Sequence, residues 1–277
     1  MRALWATRAA GVVLAATAMI PLGTQAVQAA PATAVTATGA AGTAGAAHAQ
    51  PSVLVIDYVA VVKAAYAAYQ AYAASQALTL EEATQQILSA IDSAKSEILS
   101  HIDQVATADA RACARQAVID FADITRFTTD TLQAFARDTT GCVTRIDSLL
   151  AAVSDKAAVD QLGFAVNAVG PISLVARARA GFETAGLKST LINSHNTIVT
   201  KLDPVCVTRT VSEPGPVRPI VEQQVTCTAY NGNSAWDARR VSPAPAGPPI
   251  DVNALKATAA AGTSWAAAKA VLPTLQS

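Results

Sequence analysis

Histidine is the scarcest chemical resource in this chain: 277 residues contain three, at His48, His101 and His195. No two histidines are paired and His195 has no acid or cysteine beside it at ligand spacing, so no resident metal or cofactor is expected. Motifs that place a nucleophile or cradle a phosphate are missing too. There is no Gly-x-Ser-x-Gly, no Ser-x-x-Lys, no His-Glu-x-x-His and no phosphate-binding glycine loop. The expectation is a protein that is not an enzyme, with no catalytic residues to name. A hydrolase built from two carboxylates distant in sequence would leave no motif and is the exception to that reading.

Charge of one sign is also lacking. Lysine and arginine number 20, aspartate and glutamate 20. Removing a leader that holds Arg2 and Arg8 leaves eighteen basic against twenty acidic residues, a net of about −2 by formal counting. Without a basic stripe to neutralise phosphates, nucleic acid is not an expected partner. Aromatics make up only 5% of the chain, and alanine supplies much of the 52% that is hydrophobic. Alanine favours helix and permits close helix approach, but each buries little area, so a thin, extended core is expected.

Residues 1–29 read as a secretory signal peptide. Arg2 and Arg8 precede or flank an apolar run, Ala9–Ile20, that is too short to span a bilayer and is broken by Pro21 and Gly23. Residues 30–50 are mostly Ala, Thr and Gly with no formally charged side chain; they read as a disordered linker, because they cannot bury enough to offset their ordering entropy. A helical bundle is expected over 51–203, a disulfide-stapled β-hairpin with a proline-rich loop over 204–249, and a C-terminal helix over 250–277.

Within the bundle, a first helix from near Ser52 to about Ala77 carries Tyr58, Val62, Tyr66, Tyr69 and Ala73 on one face. A tyrosine stripe can be a sugar platform, but packing with hydroxyls at the rim is the better reading. Thr79-Leu-Glu-Glu82 is a capping box and opens the next helix. That helix stacks Ile87, Ile91, Ala94, Ile98, Ile102 and Val105 at spacings of three and four, running to about Ile124 unless interrupted near Ala106–Ala110. After Thr125–Asp130 a second stripe follows: Leu132, Phe135, Ala136, Thr139, Val143, Ile146, Leu149 and Val153. Asp120 and Asp123, with Arg115 and Arg126 nearby, read as a solvated ion-pair face rather than a cation site. Further on, Leu187, Leu191, His195, Ile198 and Leu202 share a face, which makes His195 a partly buried histidine.

Four cysteines allow three pairings, which spacing alone does not decide. Cys113 and Cys142 lie almost symmetrically about one turn, and Cys206 and Cys227 about the turn-forming Ser212–Pro219. Those symmetries favour 113–142 as a staple between antiparallel helices and 206–227 across a β-hairpin, where Trp236 in the following loop packs over the strands. An even cysteine count behind a signal peptide points to an oxidising compartment and a secreted, extracellular protein.

One segment stands apart. Between Asp160 and Arg177 no residue is charged, and Gly170-Pro171 is expected to end one helix and begin the next. The run is either buried core or an apolar hairpin that enters a membrane through Leu162, Phe164, Val166, Val169, Ile172, Leu174 and Val175. This layout of long helices around an apolar run resembles the α-helical pore-forming toxins of bacteria. The resemblance implies a membrane-active protein, and it departs from those toxins in having a polar, proline-rich β-hairpin. The expected fold is mainly α: an elongated, disulfide-stapled antiparallel helical bundle with a small C-terminal β-hairpin. The expected role is a surface binding or structural module for an unknown protein or cell-surface ligand, with membrane activity as the alternative.

Overall fold

The computed structural model describes residues 57–75 and 78–277. The expected signal peptide, the 30–50 linker with His48, and the start of the first helix lie outside the described residues. The fold is mainly α, with a three-stranded antiparallel sheet near the C-terminus.

The helices follow the capping chemistry of the sequence. Helix α1 spans Tyr58–Ser75, with the Asp57 carboxylate accepting from the N–H groups of Val59 and Ala60. Helix α2 spans Leu80–Ser93 and opens with both halves of the Thr79/Glu82 capping box in place. Helices α3 (Lys95–Asp103) and α4 (Ala108–Phe121) continue the isoleucine stripe as separate rods, broken at Ala94 and over residues 104–107. The stretch expected as one helix, or as one interrupted near Ala106–Ala110, is three: the second break adjoins that expected interruption and the break at Ala94 is additional. The breaks let Ile87, Ile91, Ile98, Ile102 and Val105 all stay buried while the chain bends around its neighbour. Helix α5 (Thr129–Ala152) is capped by the Thr128 hydroxyl, which accepts from the Thr131 N–H. Helix α7 spans Ala185–Lys201.

Helix α6, Lys156–Arg179, is the centre of the bundle. It packs against α1, α2, α3, α4, α5, α7 and, near the C-terminus, α9 (Ser264–Gln276). Every residue from Leu162 to Ala176 is buried. Contrary to the sequence reading, Gly170-Pro171 does not break it; one helix runs through both residues. An internal proline forfeits a backbone bond and normally costs about 3 kcal/mol, so the surrounding packing must hold this helix together. Gly170 is where the packing is tightest. A Cβ there would run into the Tyr66 hydroxyl of α1 and lie 2.9 Å from Leu191 Cδ2 of α7. Seven residues earlier, Gly163 gives α9 the same access, with Ser264 against it.

Polar ties fix the neighbours. Buried Asp160 accepts from Ser264 N–H and Oγ at 2.7 Å each and from the Tyr230 hydroxyl at 2.6 Å, joining α6 to α9 and to the turn after the second strand. Lys201 Nζ of α7 donates to the carbonyls of Leu150, Ala151 and Val153, satisfying the open C-terminal end of α5. The Cys113–Cys142 disulfide joins α4 to α5 with the Cα atoms 5.6 Å apart. Closing a chain segment of 29 residues, it stabilises the fold by roughly 3–4 kcal/mol in the loop-entropy picture. Gly141 beside it is not needed for close approach, because a Cβ there would meet nothing within 4 Å.

Strands β1 (Val205–Glu213), β2 (Ile220–Thr228) and β3 (Ser234–Ser242) form the sheet in that order. Cys206 and Cys227 sit directly opposite each other and are bonded. The hairpin read from sequence thus gains a third strand, and Trp236 belongs to it rather than to a loop. The C-terminal helix is also two: α8 (Val252–Ala259) packs on the sheet and α9 on the bundle. They part at Gly262, whose φ of +77° suits glycine.

The Tyr66 hydroxyl is buried without a hydrogen-bond partner among the described residues, so the Gly170 contact has a clear signature. Gly170→Ala should destabilise the protein by about 1–3 kcal/mol. Tyr66→Phe should be neutral or stabilising by up to about 1 kcal/mol, because no bond is lost. Urea midpoints of the two singles and the double should show the double short of additive, with Tyr66→Phe relieving part of the Gly170→Ala loss, since ring carbon Cζ and Leu191 Cδ2 stay 2.9 Å from the added Cβ.

Candidate functional site

The seven apolar residues singled out for membrane insertion, Leu162, Phe164, Val166, Val169, Ile172, Leu174 and Val175, are all buried inside the bundle on α6. The four cysteines are all paired. Among the described residues, no three His, Cys, Asp or Glu side chains come together as metal ligands do. Asp123 pairs with Arg126 at 3.1 Å on the exposed surface, while Arg115 turns to Asp103 instead.

His195 is fully buried rather than partly so. Its Nδ1 lies 2.6 Å from the Leu191 carbonyl, and its Nε2 faces the Asn167 side chain of α6 at 2.9 Å. Burial lowers its pKa from 6.5 to about 4, so the ring is neutral at pH 7. A neutral ring has one N–H, and a carbonyl can only accept; Nδ1 therefore donates to Leu191 and Nε2 must accept. The Asn167 amide consequently presents its NH₂ to the ring. With both nitrogens engaged and no solvent path, His195 serves as a structural strut between α6 and α7.

His101 stacks on Phe164 with ring centroids 3.9 Å apart and planes 11° from parallel. Tyr58 donates to the Phe164 carbonyl at 2.7 Å. With Glu97 and Asp57 these rings line a small cleft of about 190 Å³. The tyrosine stripe is core, as read from the sequence, with Tyr58, Tyr66 and Tyr69 buried, but the hydroxyls of Tyr58 and Tyr66 lie inside the bundle rather than at its rim. Tyr69 donates to the Thr184 hydroxyl at 2.8 Å. Tyr72, one turn on, is only half-buried and lines a larger open cleft of about 540 Å³ with Phe182, Glu183 and Thr184 from the α6–α7 turn.

The surface that sequence reasoning missed is one face of the sheet. Register places Val207, Thr226 and Trp236 side by side on one rung, and Val205, Thr228 and Ser234 on the next rung of that face. Trp236 is 67% exposed, Val205 63% and Val207 52%. On the alternate positions Val225, Cys227 and Ala235 are buried, and α8 packs against all three strands. One face is sealed and the other open. A period-two reading of Ser234–Ser242 could have found β3, but the alternation of one tryptophan with alanine and charged residues is a weak signal. The next rung holds Arg209, exposed and without an ion-pair partner among the described residues.

Fold and surface together define a disulfide-stapled helical bundle with an appended, one-face-open β-sheet. Comparisons of the chain with protein-family models, with curated proteins and with solved structures find no match.

The depressed His195 pKa has a consequence for stability. The unfolded chain takes up this proton near pH 6.5 and the folded one only near 4, so stability is full above 6.5 and falls as the pH drops between those values. The loss through His195 should reach roughly 3 kcal/mol by pH 4. Urea titrations from pH 7 to 4 should show this slope in the wild type and a shallower one in His195→Gln.

Proposed function

We propose that this protein acts outside the cell as a non-enzymatic binding module, exported by its N-terminal signal peptide, and that it docks a partner protein through the open face of the sheet. Two disulfides suit an oxidising compartment, where they persist. The observation that carries the reading is Trp236, exposed on the edge strand β3, with exposed Val207 and Val205 across the same face on β1 and a disulfide and α8 bracing the sheet behind them. Aromatic anchors ringed by polar groups are the usual hot spots of protein interfaces. Unpaired Arg209 on the rim selects a partner whose own apolar patch has acidic residues beside it.

A second reading rests on α6, the one helix among the described residues that is long and apolar enough to cross a membrane. For it to insert, the bundle would have to open and release a helix now covered on every side. Dye-loaded vesicles of neutral and of anionic lipid, at pH 7 and pH 5, separate the readings: release by the intact protein supports insertion, and none under any of these conditions removes it.

The docking surface is tested by saturable binding of labelled mature protein to the cells that secrete it, before and after stripping surface proteins with protease. Trp236→Ala should weaken binding by about tenfold or more, with the melting temperature almost unchanged because the side chain is exposed. Protease treatment should abolish it. Binding that survives the protease, or that Trp236→Ala leaves intact, overturns the reading.

A further inference from the structure

A cleft of about 540 Å³ lies between the end of α1, the Leu78-Thr79 segment and the α6–α7 turn. That is within the range of small-ligand sites. We propose that this cleft binds a neutral saccharide. The site is separate from the docking face and does not depend on it.

Three aromatic side chains line the cleft, Tyr69, Tyr72 and Phe182, with the two tyrosine ring centroids 6.3 Å apart. Such rings offer apolar faces that match the C–H faces of a sugar ring. The polar groups are those a polyol needs. The Glu183 carboxylate is exposed and has no hydrogen-bond or ion-pair partner among the described residues, so it can accept from two neighbouring hydroxyls. The Thr184 oxygen already accepts from Tyr69, which leaves its own hydrogen free to donate.

The wall is preorganised. Arg177 Nε and Nη2 both donate to the Glu183 carbonyl, at 2.8 and 2.6 Å, and the guanidinium lies 5.5 Å from the Phe182 ring centroid. This clamp fixes the α6–α7 turn before any ligand arrives, so little ordering entropy is lost on binding. The same geometry decides ligand charge. A cation entering beside Phe182 would meet the Arg177 guanidinium, and an anion would meet Glu183. A neutral ligand rich in hydroxyls satisfies the carboxylate and opposes neither charge.

The test uses the intact mature protein with four neutral probes: cellobiose, lactose, maltose and di-N-acetylchitobiose. Saturation-transfer NMR and titration calorimetry should show at least one binding with a Kd below ~10 mM. Tyr72→Ala should weaken that probe by about tenfold, as expected for one lost ring face. Tyr72→Phe should keep most of the affinity, and Glu183→Gln should lower it severalfold while leaving the circular dichroism and melting temperature unchanged. Trp236→Ala should have no effect, which keeps this result distinct from docking at the sheet. The proposal is overturned if none of the four probes binds. It is equally overturned if binding is indifferent to both Tyr72→Ala and Glu183→Gln, or if Trp236→Ala abolishes it.

Discussion

Helix α6 has no polar face between Leu162 and Ala176, so it must be covered all round, and the rest of the bundle is arranged to do that. Neighbouring helices can close on it because the contact side chains are small where the approach is nearest. Gly163 admits Ser264 of α9, and Gly170 admits Tyr66 of α1 and Leu191 of α7. Alanine-rich helices with few aromatics then suffice, since short side chains bring backbones close and each helix needs to bury only a stripe. Burial all round also explains why Pro171 sits inside a continuous helix: a kink would expose part of a predominantly apolar segment to solvent.

Two polar side chains of this helix find partners at its crossings, while the Ser173 hydroxyl is buried without a partner among the described residues. Asp160 near one end gathers Ser264 and Tyr230 and so orients both the last helix and the sheet. Asn167 at mid-length meets His195. These two contacts set the register of α9 and α7 against α6 more sharply than apolar packing would, because a sliding helix would leave a buried carboxylate or ring nitrogen without its partner. Disulfides act at a different level: Cys113–Cys142 joins neighbouring rods of the bundle, and Cys206–Cys227 braces strands that have only one covered face.

Functional surface is what remains after α6 is enclosed. The sheet sets one face against α8 and keeps the other open, with Trp236 exposed on its edge strand β3. The α6–α7 turn, held by Arg177, leaves a cleft beside Tyr72. Both lie on connecting or appended structure positioned by the bundle, the usual division between scaffold and binding surface.

Much of the architecture was legible in the chain itself. Isoleucine and leucine spacing marked the helical stripes, Thr79–Glu82 marked a helix start, and the symmetric cysteines marked both disulfides, because each of these signals is local and set by backbone geometry. Tertiary structure alone decided the rest. Whether Gly170-Pro171 breaks a helix depends on what presses against it, and here Tyr66 lies more than a hundred positions away in sequence. Whether Trp236 is covered depends on which face of the sheet α8 takes. That His195 is wholly enclosed follows from α1 and α6 closing over α7. Local propensity cannot report such facts, because they arise from contacts between segments that meet only when the chain has folded.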